Sequence, residues 1–261
     1  MWFDYLMDDC KESYDVSQSY HGVYFPVFLK LIMGLIMGAF FIGSIATVVL
    51  GGAFANFETM GGYEVATLIL KSVGLLGVLA YVLYMLLWGL IEVGSINMIH
   101  AAFNDEKPTQ KVFLNGIGSY LAKVTLGKLL IHVVVLVLSP IFLIAFLVYA
   151  VIIGIPTAGY GVVFLFVAIG VYFATWTIAI VLDDMDITEG IGESIRIGRN
   201  HFKPLFVIVL STGLISSQVA MIFGPLGAVL AGWFLGGLVG IFFKMVTYKT
   251  YMRYTRDGNL I

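Results

Sequence analysis

The residues of this chain that could do chemistry inside a membrane are Glu92, His100, His132 and Gln218, each of which falls in or beside a long apolar run. Placing an ionisable group in hydrocarbon is costly, so such groups usually mark a pathway for an ion, a proton or a substrate. Glu92 and His100 stand eight residues apart, which puts them on roughly one face of a helix. The four residues are therefore the candidate polar pathway of a transporter.

Sequence signals of catalysis and metal binding are otherwise missing. The four histidines have no second ligand at the spacing that zinc sites use. The acidic cluster Asp183, Asp184 and Asp186 could bind a hard cation, but it stands where a helix begins, a position that favours acids for itself. No Gly-x-Ser-x-Gly elbow, phosphate loop or dinucleotide fingerprint is present. We therefore expect no enzymatic activity, no metal and no cofactor.

Six apolar runs must position the candidate residues. The chain is 60% hydrophobic and 11% charged, with a mean hydropathy of +1.00, which excludes an ordinary soluble domain. A helix needs about 20 apolar residues to cross a bilayer, and a barrel strand would show short alternating segments instead. We therefore predict an all-α, polytopic integral membrane protein with six transmembrane helices in a single domain, residues 1–261. The runs lie at residues 27–51, 66–91, 129–153, 157–182, 205–223 and 226–247.

Basic residues divide unequally between the two sides of this arrangement. Lys71 lies alone on one side, and the others of the fourteen Lys and Arg residues lie on the opposite side. The positive-inside rule then predicts that both termini are cytoplasmic. We expect the plasma membrane of a prokaryote, with the lipid bilayer as a partner and no nucleic acid. Cys10 is the single cysteine, so no disulfide forms within the chain, and we expect it to face a reducing compartment.

Two cytoplasmic segments show the spacing of amphipathic helices. Residues 108–128 and 186–204 each place apolar residues at three- and four-residue intervals opposite charged ones. Asp186, followed three positions later by Glu189, predicts a capping box at the start of the second. We expect both to be interfacial helices on the cytoplasmic face, with the aromatic and acidic residues 2–20 as a weaker third.

These segments alternate with pairs of apolar runs, which suggests an internal repeat. The units are 1–103, 104–182 and 183–261, each an interfacial segment followed by a helical hairpin. The alternative is that any six-span protein with short external loops shows the same rhythm.

Small residues predict where the helices pack, because lipid gives helices no hydrophobic reason to associate and close backbone contact takes over. The partner that packs on a face of small residues is another helix of the chain, a second copy of the chain or another protein. Pro140 predicts a kink in the third run. In the last run, small residues recur every four positions, at Gly224, Ala228, Gly232, Gly236 and Gly240. The first run has a shorter set, Gly34 and Gly38.

The segment 180–206 ends an apolar run in an acidic patch and continues through Ser194, Arg196, Arg199 and Phe202 into the next run. Together with the Tyr- and Arg-rich ending at 251–258, it resembles uncharacterised six-span prokaryotic families that include the membrane domain attached to some glycerophosphodiester phosphodiesterases. In those proteins the phosphodiesterase is a separate soluble domain. The resemblance therefore implies a membrane domain and carries over no catalytic residue.

Two functions follow as hypotheses. The first is a non-enzymatic membrane module, either an accessory or scaffold subunit or a bilayer-organising protein. The alternative is a transporter or permease for a small or lipid-like substrate. A permease should contain a water-accessible cavity that reaches the midplane, whereas a scaffold should be packed throughout and expose an apolar docking face.

Overall fold

The computed structural model describes residues 2–54, 62–222 and 224–256, and within these ranges every regular element is helical, as the composition predicts. The three-unit repeat stays a prediction. In chain order the helices are α1 (Trp2–Ser19), α2 (Phe25–Phe54), α3 (Gly62–Phe103), α4 (Gln110–Leu114), α5 (Ile117–Ile153), α6 (Ile155–Tyr172), α7 (Trp176–Leu182), α8 (Ile187–Asn200), α9 (Phe202–Ile222) and α10 (Gly224–Arg256), with a 3-10 turn at His21–Tyr24.

Three segments of the described part of the chain are long and apolar enough to cross a membrane: Gly77–Phe103, Ile117–Ile152 and Phe164–Leu182. A fourth is added if Trp2–Ser19 and His21–Ile36, which meet at 97°, count as one bent span. The described residues therefore contain three to four segments that could span a bilayer.

Large apolar side chains are exposed along one zone of the molecule, which we call the apolar belt. In water this surface would be unfavourable, whereas lipid is an adequate solvent for it. Val151, Ile152 and Leu136 are the most exposed, at 88%, 72% and 71%. The belt comprises exposed residues of α2 (28–36), α3 (78–86), α5 (126–152), α6 (164–166) and α9 (214–215).

The buried core lies beyond one edge of this belt, in a zone that we call the basal layer. It consists of α1, α4, α7 and α8, packed around residues 92–103 of α3 and 241–256 of α10. Ile99, Ile180 and Tyr251 are fully buried there. Burial of such side chains contributes roughly 1.5–3 kcal/mol each. Among the residues whose burial the structure describes, most of the core therefore lies at one end of the long helices.

The prediction of a single interfacial helix over residues 108–128 is wrong. α4 ends at Leu114, and Gly116 adopts a left-handed conformation with φ of 72°, which residues with a Cβ rarely adopt. α5 then continues from Ile117 into the apolar belt. Val124 is fully buried, so the apolar face of this segment packs inside the protein.

The second amphipathic segment forms the separate helix α8. The Glu189 carboxylate accepts the backbone N–H of Asp186 at 3.2 Å, in the capping box that the sequence predicts. α8 packs mainly against α7, and Ser194 on its inner face is fully buried. Its charged face, with Arg196 56% exposed, points outward.

A helix is interrupted within the fourth predicted run, and not at Pro140 of the third. α5 continues through Pro140. Because proline has no N–H, the Leu136 carbonyl lacks its usual donor, and the Ser139 hydroxyl donates to it at 2.7 Å. The fourth predicted run is instead split into α6 and α7 at residues 173–175. There the Thr175 N–H and Oγ1 both donate to Ser194 Oγ, at 3.1 and 3.0 Å.

Candidate functional site

Glu92 lies at the centre of a group of charged side chains from four helices. Its Oε2 accepts from Lys128 Nζ of α5 at 3.1 Å, and its Oε1 accepts from Lys244 Nζ of α10 at 2.5 Å. Thr177 Oγ1 of α7 donates to the same Oε1 at 3.3 Å. One carboxylate on α3 therefore holds α5, α7 and α10 together.

These side chains are largely removed from solvent. The exposed fraction is 13% for Glu92, 9% for Lys128 and 17% for Lys244. An ion pair at this burial gains little net stability over a well-packed apolar core, but removing one partner leaves an uncompensated charge and is strongly destabilising. The arrangement therefore fixes the relative positions of the helices.

Two further residues extend the group. Lys30 of α2 interacts electrostatically with Lys244, Glu92 and Lys128. The Lys128 ammonium lies 4.0 Å from the centre of the Trp88 ring, where the ring face attracts a cation. We call Glu92 with Lys30, Lys128 and Lys244 the Glu92 cluster. Within it, the Lys128 and Lys244 ammonium groups share one carboxylate, which leaves one excess positive charge.

The Glu92 cluster lies at the edge of the apolar belt. Leu86 is the last large exposed apolar residue on α3 before Glu92, and six residues of helix separate them by about 9 Å. On α5, Lys128 and Ile152 are separated by about 36 Å at the helical rise per residue, which exceeds the roughly 30 Å of a hydrocarbon core. Both helices therefore place Glu92 and Lys128 at one end of the apolar belt.

A cavity of about 380 Å³ adjoins the cluster between α7, α9 and α10. Its walls are mostly apolar, and Thr177 and Lys244 provide polar groups at the Glu92 cluster. The hydroxyls of Thr212 and Thr247, also in the lining, donate to carbonyls of their own helices at 2.7 and 2.8 Å. We call this cavity the Lys244 groove; Thr177, Ile178, Val209, Gly213, Gly240 and Lys244 are among its lining residues.

The structure does not bring the four predicted pathway residues together. Glu92 joins the three lysines, whereas His100 lies in the basal layer, with Nδ1 2.7 Å from the Tyr248 hydroxyl. His132 is exposed on α5, with Nδ1 2.7 Å from the Lys128 carbonyl of its own helix. Gln218 belongs to α9, but its side chain lies outside the described residues.

The three lysines belong to the candidate site but are not among the residues that the sequence predicts for it. In the sequence they serve only as basic residues that indicate orientation. A signal was present, since Lys30 and Lys244 are single charges inside apolar runs and Lys128 directly precedes one. A charge several residues inside such a run has either to reach the interface or to find a partner within the protein.

The predicted small-residue faces are partly described. Gly34 is buried, but a Cβ built at Gly38 or Gly240 meets nothing within 4 Å. Close packing occurs instead at Gly237, where a Cβ would lie 2.9 Å from Val27. Gly236 is half-buried. The side-chain surroundings of Gly224, Ala228 and Gly232 lie outside the described residues.

Closer contacts lie in or near the basal layer, at glycines that the sequence reasoning did not select. A Cβ at Gly94 would lie 2.2 Å from the Phe113 ring, and one at Gly127 would lie 2.4 Å from the Trp176 ring. Both aromatic side chains are buried. The two glycines let α4 and α7 approach the long helices closely.

The basal layer is held by ion pairs between distant parts of the chain. The Asp9 carboxylate of α1 accepts from the Arg253 guanidinium and, at 3.0 Å, from the Thr250 hydroxyl, both on α10. Burial raises the pKa of Asp9, although Arg253 opposes the shift. Lys249 pairs with Glu12 at 2.5 Å. α1 is therefore fastened across α10.

The acidic cluster after α7 is engaged by the protein itself. Asp183 accepts from the Tyr251 hydroxyl, and Lys123 lies 3.3 Å from both Asp184 and Asp186. Among the described residues, no group of three or more His, Cys, Asp or Glu is arranged to hold a metal ion. These contacts give the three acids a structural role.

His201, between α8 and α9, is the histidine whose surroundings favour the neutral form. Its ring stacks on Tyr254 with 3.4 Å between the ring centres. Burial, together with the positive charge of Arg196, lowers the pKa of His201.

The fold and the Glu92 cluster define a helical protein with several apolar helices able to span a membrane and a buried, positively charged site at one edge of its apolar belt. Comparison with protein-family models, with curated proteins and with solved structures finds no match to this chain. The resemblance to the six-span families stays a prediction.

Proposed function

We propose that this chain is a non-enzymatic integral membrane module, an accessory or scaffold subunit or a bilayer-organising protein. In this proposal six helices (α2, α3, α5, α6 continued by α7, α9 and α10) cross the plasma membrane of a prokaryote. The basal layer lies on the cytoplasmic side with both termini, where most of the Lys and Arg residues are. The resemblance to membrane domains without an enzymatic part of their own agrees with this assignment.

The observation that carries the proposal is the basal layer. Ion pairs and buried side chains tie α1, α8 and the end of α10 together there, and Glu92 is engaged by three partners. Two of the predicted pathway residues have other neighbours than Glu92. His100 Nδ1 lies beside the Tyr248 hydroxyl, and His132 Nδ1 lies beside the Lys128 carbonyl. Such a layer is suited to hold a fixed surface against a neighbouring protein or the inner leaflet.

Flux through reconstituted vesicles tests the proposal. The purified protein and a Glu92→Gln variant are incorporated into vesicles and assayed with a panel of ions, small solutes and fluorescent lipids. We expect no flux above empty vesicles, together with a protein that copurifies from native membranes and is cross-linked at the basal layer. Flux that Glu92→Gln abolishes would contradict the proposal.

The alternative is a permease for a small or lipid-like substrate, and two observations favour it. The Lys244 groove gives access to the Glu92 cluster, and the α6–α7 break at residues 173–175 resembles the discontinuous helices of transporters. Transporter breaks usually lie near the midplane. Here the break lies beyond the belt residues Phe164–Phe166 of α6 by about 10 Å of helix, which favours the module.

A further inference from the structure

We propose that the Glu92 cluster and the Lys244 groove form a binding site for an anionic phospholipid, with the lipid phosphate at Lys244 and one acyl chain along the groove. The site goes beyond the membrane module described above, and it rests on that proposal because the apolar belt must face a bilayer.

The first support is the unbalanced charge of the cluster. The single Glu92 carboxylate is shared by the ammonium groups of Lys128 and Lys244, which leaves one excess positive charge at a site largely shielded from water. Lys244 donates one N–H to Glu92, and an ammonium group has three donors. A phosphate at this point would accept the remaining donors and offset the excess positive charge.

The second support is the shape of the groove. Its apolar walls include Ile178, Val209 and Phe243, and Lys244 lies in the same lining. Gly213 and Gly240 face it from α9 and α10, and a Cβ built at either meets nothing within 4 Å. An apolar channel that starts at an ammonium group matches an amphiphile with an anionic head and a hydrocarbon chain.

The third support is the depth of the site. Glu92 lies beyond the last belt residue of α3, and Lys128 lies in the first turn of the belt on α5, so in a bilayer both would lie near the phosphates of one leaflet. Basic pockets between transmembrane helices on the cytoplasmic side are typical places for anionic headgroups. A dissolved anion would use the lysines but would have no use for the apolar walls, so the combination favours a lipid.

Native mass spectrometry of the purified protein tests the site. The protein is released from nanodiscs that contain equal amounts of phosphatidylglycerol and phosphatidylcholine, and the lipids that remain bound are counted. We expect retention of phosphatidylglycerol to exceed that of phosphatidylcholine by about tenfold, because both lipids offer a phosphate but only phosphatidylcholine also brings a choline cation to a site with excess positive charge. sn-Glycerol 3-phosphate, which has no acyl chain, should not displace the lipid.

Two variants test the contact with the lipid phosphate and the contact with the acyl chain separately. Lys244→Met should remove the preference for phosphatidylglycerol; it leaves Glu92 paired with Lys128, so the fold keeps its central contact. Gly240→Leu fills the groove without changing any charge and should lower phosphatidylglycerol retention by about tenfold. Gly161→Leu is the matched control, because Gly161 is exposed on α6 and also has open space at its Cβ.

Three results would overturn the site. These are equal retention of both lipids by the wild type, full retention of phosphatidylglycerol by Gly240→Leu, or displacement of the lipid by sn-glycerol 3-phosphate. A wild type that does not enter nanodiscs at all would instead contradict the membrane module. Normal insertion without lipid preference would contradict the site alone.

Discussion

Replacing Glu92 by glutamine should destabilise the protein more than any exposed charge substitution. Glutamine keeps the size of the side chain but removes the charge that Lys128 and Lys244 share, and both lysines are at most 17% exposed. Removing one partner of a buried ion pair costs about 3–5 kcal/mol. Because Lys244 keeps some access to solvent, we expect a value near the lower end, about 3 kcal/mol.

Thermal unfolding in detergent or bicelles measures this effect. For a chain of this size a loss of about 3 kcal/mol corresponds to a fall in Tm of roughly 6–12 °C. The matched control is Glu193→Gln on α8: Glu193 is 16% exposed, but the Arg196 that it leaves without its ion-pair partner is 56% exposed and stays hydrated. Pairs of that kind contribute about 0–1 kcal/mol.

A second variant tests the charge argument through the sign of its effect. Lys244→Met removes a cation that Glu92 binds, so it should lower Tm in the wild type. In the Glu92→Gln background the same change removes an uncompensated ammonium group, so it should raise Tm. Similar Tm values for Glu92→Gln and Glu193→Gln, or the same sign for Lys244→Met in both backgrounds, would refute the reasoning.

Three other predictions follow from the basal layer. Gly94→Ala forces a Cβ into the Phe113 ring, 2.2 Å away, and should cost about 1–3 kcal/mol by overpacking, measured by thermal unfolding. Asp9→Asn removes the counter-charge of Arg253 and should speed amide hydrogen exchange in α1. Because the pKa of His201 is lowered in the folded protein, the unfolded chain binds the proton more tightly, so stability should be lost as the pH falls below the unfolded value of about 6.5.

Each of these has its own control. Gly192→Ala adds the same methyl group to an exposed position with no atom within 4 Å and should be neutral or slightly stabilising; an equal loss at both glycines would argue against the close contact. Asp8→Asn alters an exposed acid of the same helix, and matching exchange rates in the two variants would contradict the role of Asp9. His201→Phe keeps the ring beside Tyr254, and a pH slope that survives it would rule out His201 as the source.

Much of the fold could be predicted because lipid is a simple solvent. Long apolar runs have to be helices, and in the described residues five of the six runs lie within single helices, while the fourth is divided between α6 and α7. The capping box at α8 was also readable, since Asp186 and Glu189 stand at the required spacing and act locally.

The interfacial helix over 108–128 could not be predicted correctly, because amphipathic spacing does not tell whether an apolar face meets lipid or protein. Residues 117–128 continue α5 and pack inside, with Gly127 against Trp176. The break at residues 173–175 has no glycine or proline to mark it. The N–H and hydroxyl of Thr175 in this break donate to Ser194, which belongs to a different helix.

The sequence by itself determined the class of the protein and one member of its charged site, because the hydrophobicity of a run and the cost of a lone carboxylate in it are local properties. Only the tertiary structure decided that Glu92 pairs with Lys128 and Lys244 rather than with the histidines. Those lysines lie 36 and 152 positions further along the chain. Partners at such distances are chosen by how the helices pack, because a buried charge must find its counter-charge on whichever helix lies beside it.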